Sequence, residues 1–287
     1  MADFSSKWLV ETDWLQERLS APGLVVMDAS LGMPADARNP FDLYREAHIP
    51  GAIFFDIEDL SDRSSPLPHM LPPPEKFASR MRRMGVGDGM KIVVYDNKGI
   101  FSAPRAWWMF RVMGHEDVAV LNGGLPKWLA EGRPVESGPP VLRSERHFTV
   151  RKNSQLVRDA ADVKSAVAVG RPQIADARAK GRFEGKDLEL RPVPRLGHMP
   201  GARNVPYTTL VNGAGALKPA SELRAAFEGA GVDVEKPVIT TCGSGVTACV
   251  LALGLAVLGN EYVSVYDGSW AEWSAIPDAP VSTGDRN

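Results

Sequence analysis

The residue best placed to do chemistry is Cys242, in the segment ITTCGSGVTACVLALGLAVLG. A β-branched run from Val238 to Thr241 ends at it, a short loop follows, and the chain passes directly into a long apolar segment. A strand–loop–helix passage of this kind gathers backbone N–H groups at a helix N-terminus, where anionic sulfur is stabilised. Gly243 and Gly245 let the loop curl with its amides inward, and Ser244, Val246 and Thr247 complete it. This predicts a nucleophilic thiolate inside a cradle able to hold a second anionic atom. Thr247 is expected to cap the helix or to set its hydroxyl beside the sulfur. Cys249, seven residues on, reads as core. A helical rise of ~1.5 Å per residue puts the two Cα atoms roughly 10 Å apart, beyond the ~7 Å a disulfide can span.

Other cysteine chemistries fail on the residues themselves. A cysteine phosphatase loop needs an arginine six residues after the cysteine to clamp phosphate, and that residue is Ala248. A papain-type hydrolase needs a downstream histidine, and none follows Cys242. No CxxC or HxxxH exists, and His48, His69, His115, His147 and His198 are scattered, so neither a metal site nor a cofactor is expected.

The elements that must position Cys242 come in two copies. HIPGAIFFDIEDL, from His48, recurs as HMPGARNVPYTTL from His198, an offset of 150. Asp28-Ala29 recurs as Asp176-Ala177 at 148, and Asp96, Gly123 and Trp128 face Cys242, Gly268 and Trp273 at 145 to 146. Three anchors at nearly one offset mark a duplicated module. The intervening Gly132–Val150 segment, with its prolines and glycines, reads as extended. The expected division is a first module at 1–138, a linker at 139–155 and a second module at 156–287.

In each copy, short β-branched runs (LVVMDA, KIVVYD, DVAVLN; PQIADA, PVITTC, YVSVYD) alternate with amphipathic or apolar segments: Thr12–Leu19 with Asp13 as cap, Glu75–Met84, Pro104–Met113, Ala220–Ala230 and Val246–Leu258. That alternation predicts an α/β fold of two domains, each a mainly parallel sheet with helices on both faces. AWWMF, at 106–110, is expected to serve as domain core or interdomain packing.

Composition narrows the class. With 287 residues and 33 Lys+Arg against 35 Asp+Glu, no general attraction to nucleic acid or anionic membrane is expected. The apolar run Ala248–Leu258 is 11 residues long, short of the ~18 that span a membrane. MADFSSKWLVETDWL is expected to be neither signal nor transit peptide. A cytoplasmic location and a monomer are expected, and two cysteines make no disulfide scaffold.

The duplicated module, HIPGA and HMPGA, CGSGVTA and YDGSWAEW together resemble the tandem-domain rhodanese-type sulfurtransferases, over about Trp8 to Trp273. In that family the first domain lacks the cysteine, and Asp96 stands at the matching place here. The loop is most similar to that of members taking sulfur from 3-mercaptopyruvate, whereas thiosulfate-preferring members typically carry Arg-Lys where Gly243-Ser244 stand. The resemblance implies sulfur transfer through a Cys242 persulfide, with release of pyruvate, to a thiol acceptor such as thioredoxin or to cyanide. Cyanide detoxification, hydrogen sulfide production and sulfur donation all fit that chemistry. It further implies that Arg182 and Arg191, nine residues apart with the first in a Gly-Arg-Phe context, bind the substrate carboxylate, with Arg178 and Arg195 as lesser candidates. A proton relay of Ser, His and Asp in relatives falls here on Ser244, His69 and Glu58, with Asp59 and Asp62 as neighbours of the last. A thiosulfate:cyanide sulfurtransferase and a weakly catalytic sulfur-carrying or binding module are the competing readings.

Overall fold

Each β-branched run forms a strand buried on both faces, and the two copies assemble the same way. The computed structural model describes residues 6–284. In the first half β1 (Leu9–Val10), β2 (Leu24–Asp28), β3 (Ile53–Phe54), β4 (Lys91–Tyr95) and β5 (Val118–Leu121) form a sheet in the order β1-β5-β4-β2-β3. In the second half β6 (Val157–Arg158), β7 (Gln173–Asp176), β8 (Arg203–Asn204), β9 (Val238–Thr241) and β10 (Val263–Tyr266) repeat that topology as β6-β10-β9-β7-β8. Every strand pair is parallel. The crossovers therefore put helices on the sheet faces.

Those helices are α1 (Thr12–Gln16), α2 (Pro40–Glu46), α3 (Ile57–Leu60), α4 (Pro74–Arg83), α5 (Ala103–Val112) and α6 (Gly124–Ala130) in the first half. The second half contributes α7 (Ala160–Val169), α8 (Lys180–Phe183), α9 (Ala220–Gly229), α10 (Ala248–Val257) and α11 (Ser269–Trp273). Helix α1 is shorter than its pattern suggested. Its N-cap is Glu11, whose side chain makes no cap bond, and Asp13 lies within the first turn. There a carboxylate acts on the helix end through charge rather than as a cap. No regular helix or strand occurs between Ala130 and Ser154, and we propose 139–155, which runs from that stretch into the short 3-10 turn Ser154–Leu156, as the linker.

Two helices without a polar face explain how the halves meet. Helix α10 (ACVLALGLAV) buries every residue from Ala248 to Ala256, and α5 buries nine of its ten. An amphipathic helix needs only one covered side. These two are covered on both because each lies on its own sheet and against the other. One apolar core consequently runs through both halves, from Trp107 and Phe110 to Leu251 and Leu255. Trp108 adds a polar tie, its Nε1 donating to the Leu156 carbonyl at 3.0 Å. The AWWMF segment is therefore core and domain interface at once. No helix among the described residues is long and apolar enough to cross a membrane.

Candidate active site

Cys242 follows the last residue of β9, at the carboxyl end of a central strand, where open parallel sheets place their ligands. It is 2 % exposed, yet it borders a cavity of about 510 Å³ shared with His69, Arg182, Glu189, Arg191 and Ser244. The loop's carbonyls face the protein. Those of Cys242 and Gly243 accept the N–H of Trp270 and Ala271 at 2.9 and 3.0 Å. That of Gly245 accepts the Cys249 thiol at 3.2 Å and Arg105 Nη1 at 3.3 Å. Burial pushes the Cys249 thiol well up, as befits core.

The loop's donors have no such partners. From Gly243 to Ala248, no backbone N–H meets an acceptor among the described residues. Gly245 makes the curl possible at φ +77, in the left-handed region. The capping expected of Thr247 is not made. It occupies the N-cap of α10, but with φ −73 and ψ −16 and no side-chain cap bond. An N-cap side chain reaches back to the helix amides from an extended backbone, and Thr247 is already helical.

The first half shows what such amides hold. The Asp96 carboxylate accepts the N–H of Lys98, Phe101 and Ser102 at 2.9 Å each and of Ala103 at 2.8 Å. At the offset of 146 that pairs Asp96 with Cys242, three of these donors correspond to Ser244, Thr247 and Ala248. Gly99, the counterpart of Gly245, also has a positive φ, +104. Burial holds the Asp96 carboxyl above the ordinary carboxylate range, against the downward pull of those N–H groups.

His69 comes from the other half. It sits in the loop between α3 and α4 with φ +60, and Arg105 holds its carbonyl. Its Nδ1 lies 3.0 Å from Ser244 Oγ and its Nε2 3.0 Å from Glu58 Oε1. The hydrogen bond to His69 draws the Glu58 carboxyl below its usual range, against partial burial. Asp59 is spent on Arg63 and Arg80, and Asp62 on Ser64. Glu58 is thus the carboxylate that meets the imidazole. Ser244, His69 and Glu58 form a continuous hydrogen-bonded chain that reaches the cavity bordered by Cys242.

The arginines separate by their bonds. Arg195 is consumed by the carbonyls of Trp273, Ser274, Ile276 and Ala279, and fully buried Arg178 by Asp176, Glu189 and the Gly197 carbonyl. Arg182 lines the cavity with its Nε 2.9 Å from Glu189 Oε2. Arg191 lines it with no carboxylate in ion-pair range among the described residues, its Nη2 3.4 Å from His69 Nε2. Arg182 and Arg191 therefore face one space, while Arg178 and Arg195 serve as struts. Gly243 keeps that space open. A Cβ there would lie 2.9 Å from Arg182 Nη2.

Three residues escape sequence reasoning. Glu189 pairs with Arg182 and Arg178 inside the cavity, a role hinted at only by its position between two arginines. Arg105 and Asp267 form a buried ion pair of 2.7 Å between the halves. Asp267 also accepts the Leu71 N–H at 2.7 Å, just past His69. Its sole signal is its place in the YDGSWAEW motif.

The geometry agrees with comparison to known proteins. The Rhodanese-like domain model matches residues 11–131 and again 159–276. The 3-mercaptopyruvate sulfurtransferase of Escherichia coli K12 is 48 % identical over 278 residues, covering 96 % of this chain and 98 % of the relative. The mitochondrial thiosulfate/3-mercaptopyruvate sulfurtransferase 1 of Arabidopsis thaliana is 42 % identical over 299 residues, covering 97 % and 79 %. The crystal structure of Escherichia coli SseA, a 3-mercaptopyruvate sulfurtransferase with the rhodanese fold, superposes with a TM-score of 0.84 at 47 % identity, covering 92 % of this chain and 98 % of that one. A duplicated α/β module, with an aspartate in one loop and a cysteine in the other, thus has its place among known folds: this chain belongs to the rhodanese family, with two rhodanese-like domains in tandem.

Proposed function

We propose that the chain is a 3-mercaptopyruvate sulfurtransferase working through a persulfide on Cys242. The observation that carries this reading is the row of loop amides around Cys242 that meet no acceptor among the described residues, in the position where the first half's amides hold a carboxylate. The Cys242 thiolate attacks the donor sulfur; the S–S bond forms as the donor C–S bond breaks, and the electron pair leaves on the carbon that becomes the methyl of pyruvate. The donor's thiol proton ends on that carbon, and the Ser244–His69–Glu58 path supplies a route for it. Arg191 and Arg182 fit the donor carboxylate. In the second step an acceptor thiolate, or cyanide, takes the outer sulfur and restores the Cys242 thiolate, so one hard transfer becomes two easier ones.

Several finer points belong to the same proposal. A thiol protein such as thioredoxin is the acceptor. Both halves of the site come from one chain, which supports a working monomer. A cytoplasmic location suits a cysteine that must stay reduced between turnovers.

The test compares kcat/KM for 3-mercaptopyruvate and thiosulfate, and weighs the intact protein after each donor. Preference for 3-mercaptopyruvate, with a gain of one sulfur that Cys242→Ser abolishes, is the expected outcome. Preference for thiosulfate would move the chain to the other donor class, and no adduct with either would leave only a binding module.

A further inference from the structure

The cavity beside Cys242 has a charge as well as a shape, and one residue sets it. Glu189 is nearly buried, its side chain 4 % exposed. One carboxylate oxygen accepts Arg178 Nη1 at 2.7 Å, and the other accepts Arg182 Nε at 2.9 Å and Arg182 Nη2 as well. Arg178 is already matched by Asp176, with contacts of 3.0 to 3.1 Å from Nε and a further bond from Nη2. The charge on Glu189 is therefore set against Arg182. Around the cavity, three arginines (Arg178, Arg182 and Arg191) stand against Asp176 and Glu189, leaving one net positive charge. Glu58 lies behind His69 with its side chain 57 % exposed, where water screens it.

The excess charge is also close to the nucleophile. A Cβ at Gly243, the residue after Cys242, would lie 2.9 Å from Arg182 Nη2 and 3.6 Å from Glu189 Oε2. Arg182 and the buried anion thus lie against the residue that follows Cys242, beside the cavity it borders, in a space where a charge is felt more strongly than in water.

We infer that Glu189 is a specificity-determining residue that trims the pocket to a single positive charge and so selects monoanionic over dianionic sulfur donors. The inference rests on the sulfurtransferase reading, with the donor's carboxylate on the arginines. A monoanion such as 3-mercaptopyruvate meets a charge that balances it. A dianion such as thiosulfate carries a second charge into a partly desolvated cavity with no cation left to match it. Removing the Glu189 charge while keeping its shape should make room for that second charge.

Alkylation of Cys242 reads pocket charge without any sulfur donor, so it separates this inference from the reading beneath it. Iodoacetate is an anion and iodoacetamide is neutral, and the ratio of their rates on the full chain reports the field at the sulfur. In Glu189→Gln that ratio should rise roughly tenfold, the scale of one nearby half-screened charge. The kcat/KM ratio of thiosulfate to 3-mercaptopyruvate should rise with it. A structural role alone would slow both reagents together and leave the ratio unchanged, which would overturn the proposal, as would a fall in the ratio.

Should Glu189→Gln not fold, the wild-type chain provides the second measurement. Pyruvate should protect Cys242 from iodoacetamide at lower concentration than sulfate does; the reverse order would overturn the proposal. A wild-type chain inactive with both donors, alongside a raised alkylation ratio in Glu189→Gln, would sink the sulfurtransferase reading and leave the charge assignment standing.

Discussion

The two halves carry the same loop and use it in opposite ways. In the first, Asp96 turns its own carboxylate into the ring of amides and Gly99 is pressed against the backbone of Gly215 from the second half. A Cβ on Gly99 would come within 2.5 Å of the Gly215 carbonyl oxygen, so that mouth is closed. In the second, the corresponding amides are unpaired among the described residues, and the loop arriving from the other half brings His69 and borders a cavity. The positions matching Arg182 and Arg191, at the offset of 148 that relates Asp28 to Asp176, hold Pro34 and Leu43. One fold thus yields a sealed loop satisfied by its own carboxylate and an open loop that borders a cavity. The difference lies in what fills the ring and what comes over the top, and each can be altered.

The largest effect should come from making the second loop resemble the first. Cys242→Asp removes the nucleophile and supplies a carboxylate to the same amides. Sulfur transfer should fall on the order of 10³-fold or more, with no sulfur adduct by mass and a melting temperature no lower than wild type. Retained transfer would mean that Cys242 is not the sulfur carrier.

Emptying the first loop tests the other side. Asp96→Ala leaves four N–H donors in a sealed site without their acceptor. At about 1–3 kcal/mol for a buried donor left unpaired, urea denaturation should show a loss of at least about 3 kcal/mol. A near-neutral result would mean the amides find other partners, and that the closed loop is not held by its anion.

The arginines, which the first half lacks, should come next and should not be equal. Arg191→Ala removes a cation with no carboxylate in ion-pair range among the described residues, and KM for 3-mercaptopyruvate should rise by the equivalent of roughly 1.5–3 kcal/mol. Arg182→Ala removes a cation already shared with Glu189 and should cost less. Equal effects in steady-state kinetics would contradict the idea that Glu189 offsets Arg182.

The smallest effect concerns acid. The folded-state carboxyl of Glu58 lies below its ordinary 4.5. Its contribution to stability is therefore complete above that value and is lost as pH falls through the lower folded one. Because the group is half exposed, the contribution is a few tenths of a kcal/mol to about 1 kcal/mol. Urea midpoints of wild type and Glu58→Gln should differ above pH 4.5 and converge in stronger acid. A gap that widened on acidification would reverse the assigned sign.

Much of this was legible in the residues. Strand runs of pure β-branched character, such as VITT in β9, can only be buried, and repetition of HIPGA as HMPGA disclosed the duplication. The Cys242 loop announced itself through local pattern, because a strand, two glycines and an apolar helix are neighbours in sequence. What stayed hidden was pairing across distance. Choosing Glu58 over Asp59 and Asp62 depends on where a four-residue helix points the first two carboxylates and on the turn beyond it that holds the third. Glu189 and Asp267 look like ordinary surface acids until the fold buries them against arginines. Thr247 had the right type for a cap and the wrong backbone, which its letter does not reveal.

Arg105 carries one last implication, for how firmly the site is held. Its guanidinium is wholly enclosed, gripping the His69 carbonyl on its own side and Asp267 and the Gly245 carbonyl on the other. Parting the halves would strand that cation, at about 3–5 kcal/mol for a broken buried pair, and would pull the imidazole from Ser244. The cavity beside Cys242 is therefore built between two halves clamped in place, so its walls are as fixed as the seam that joins them.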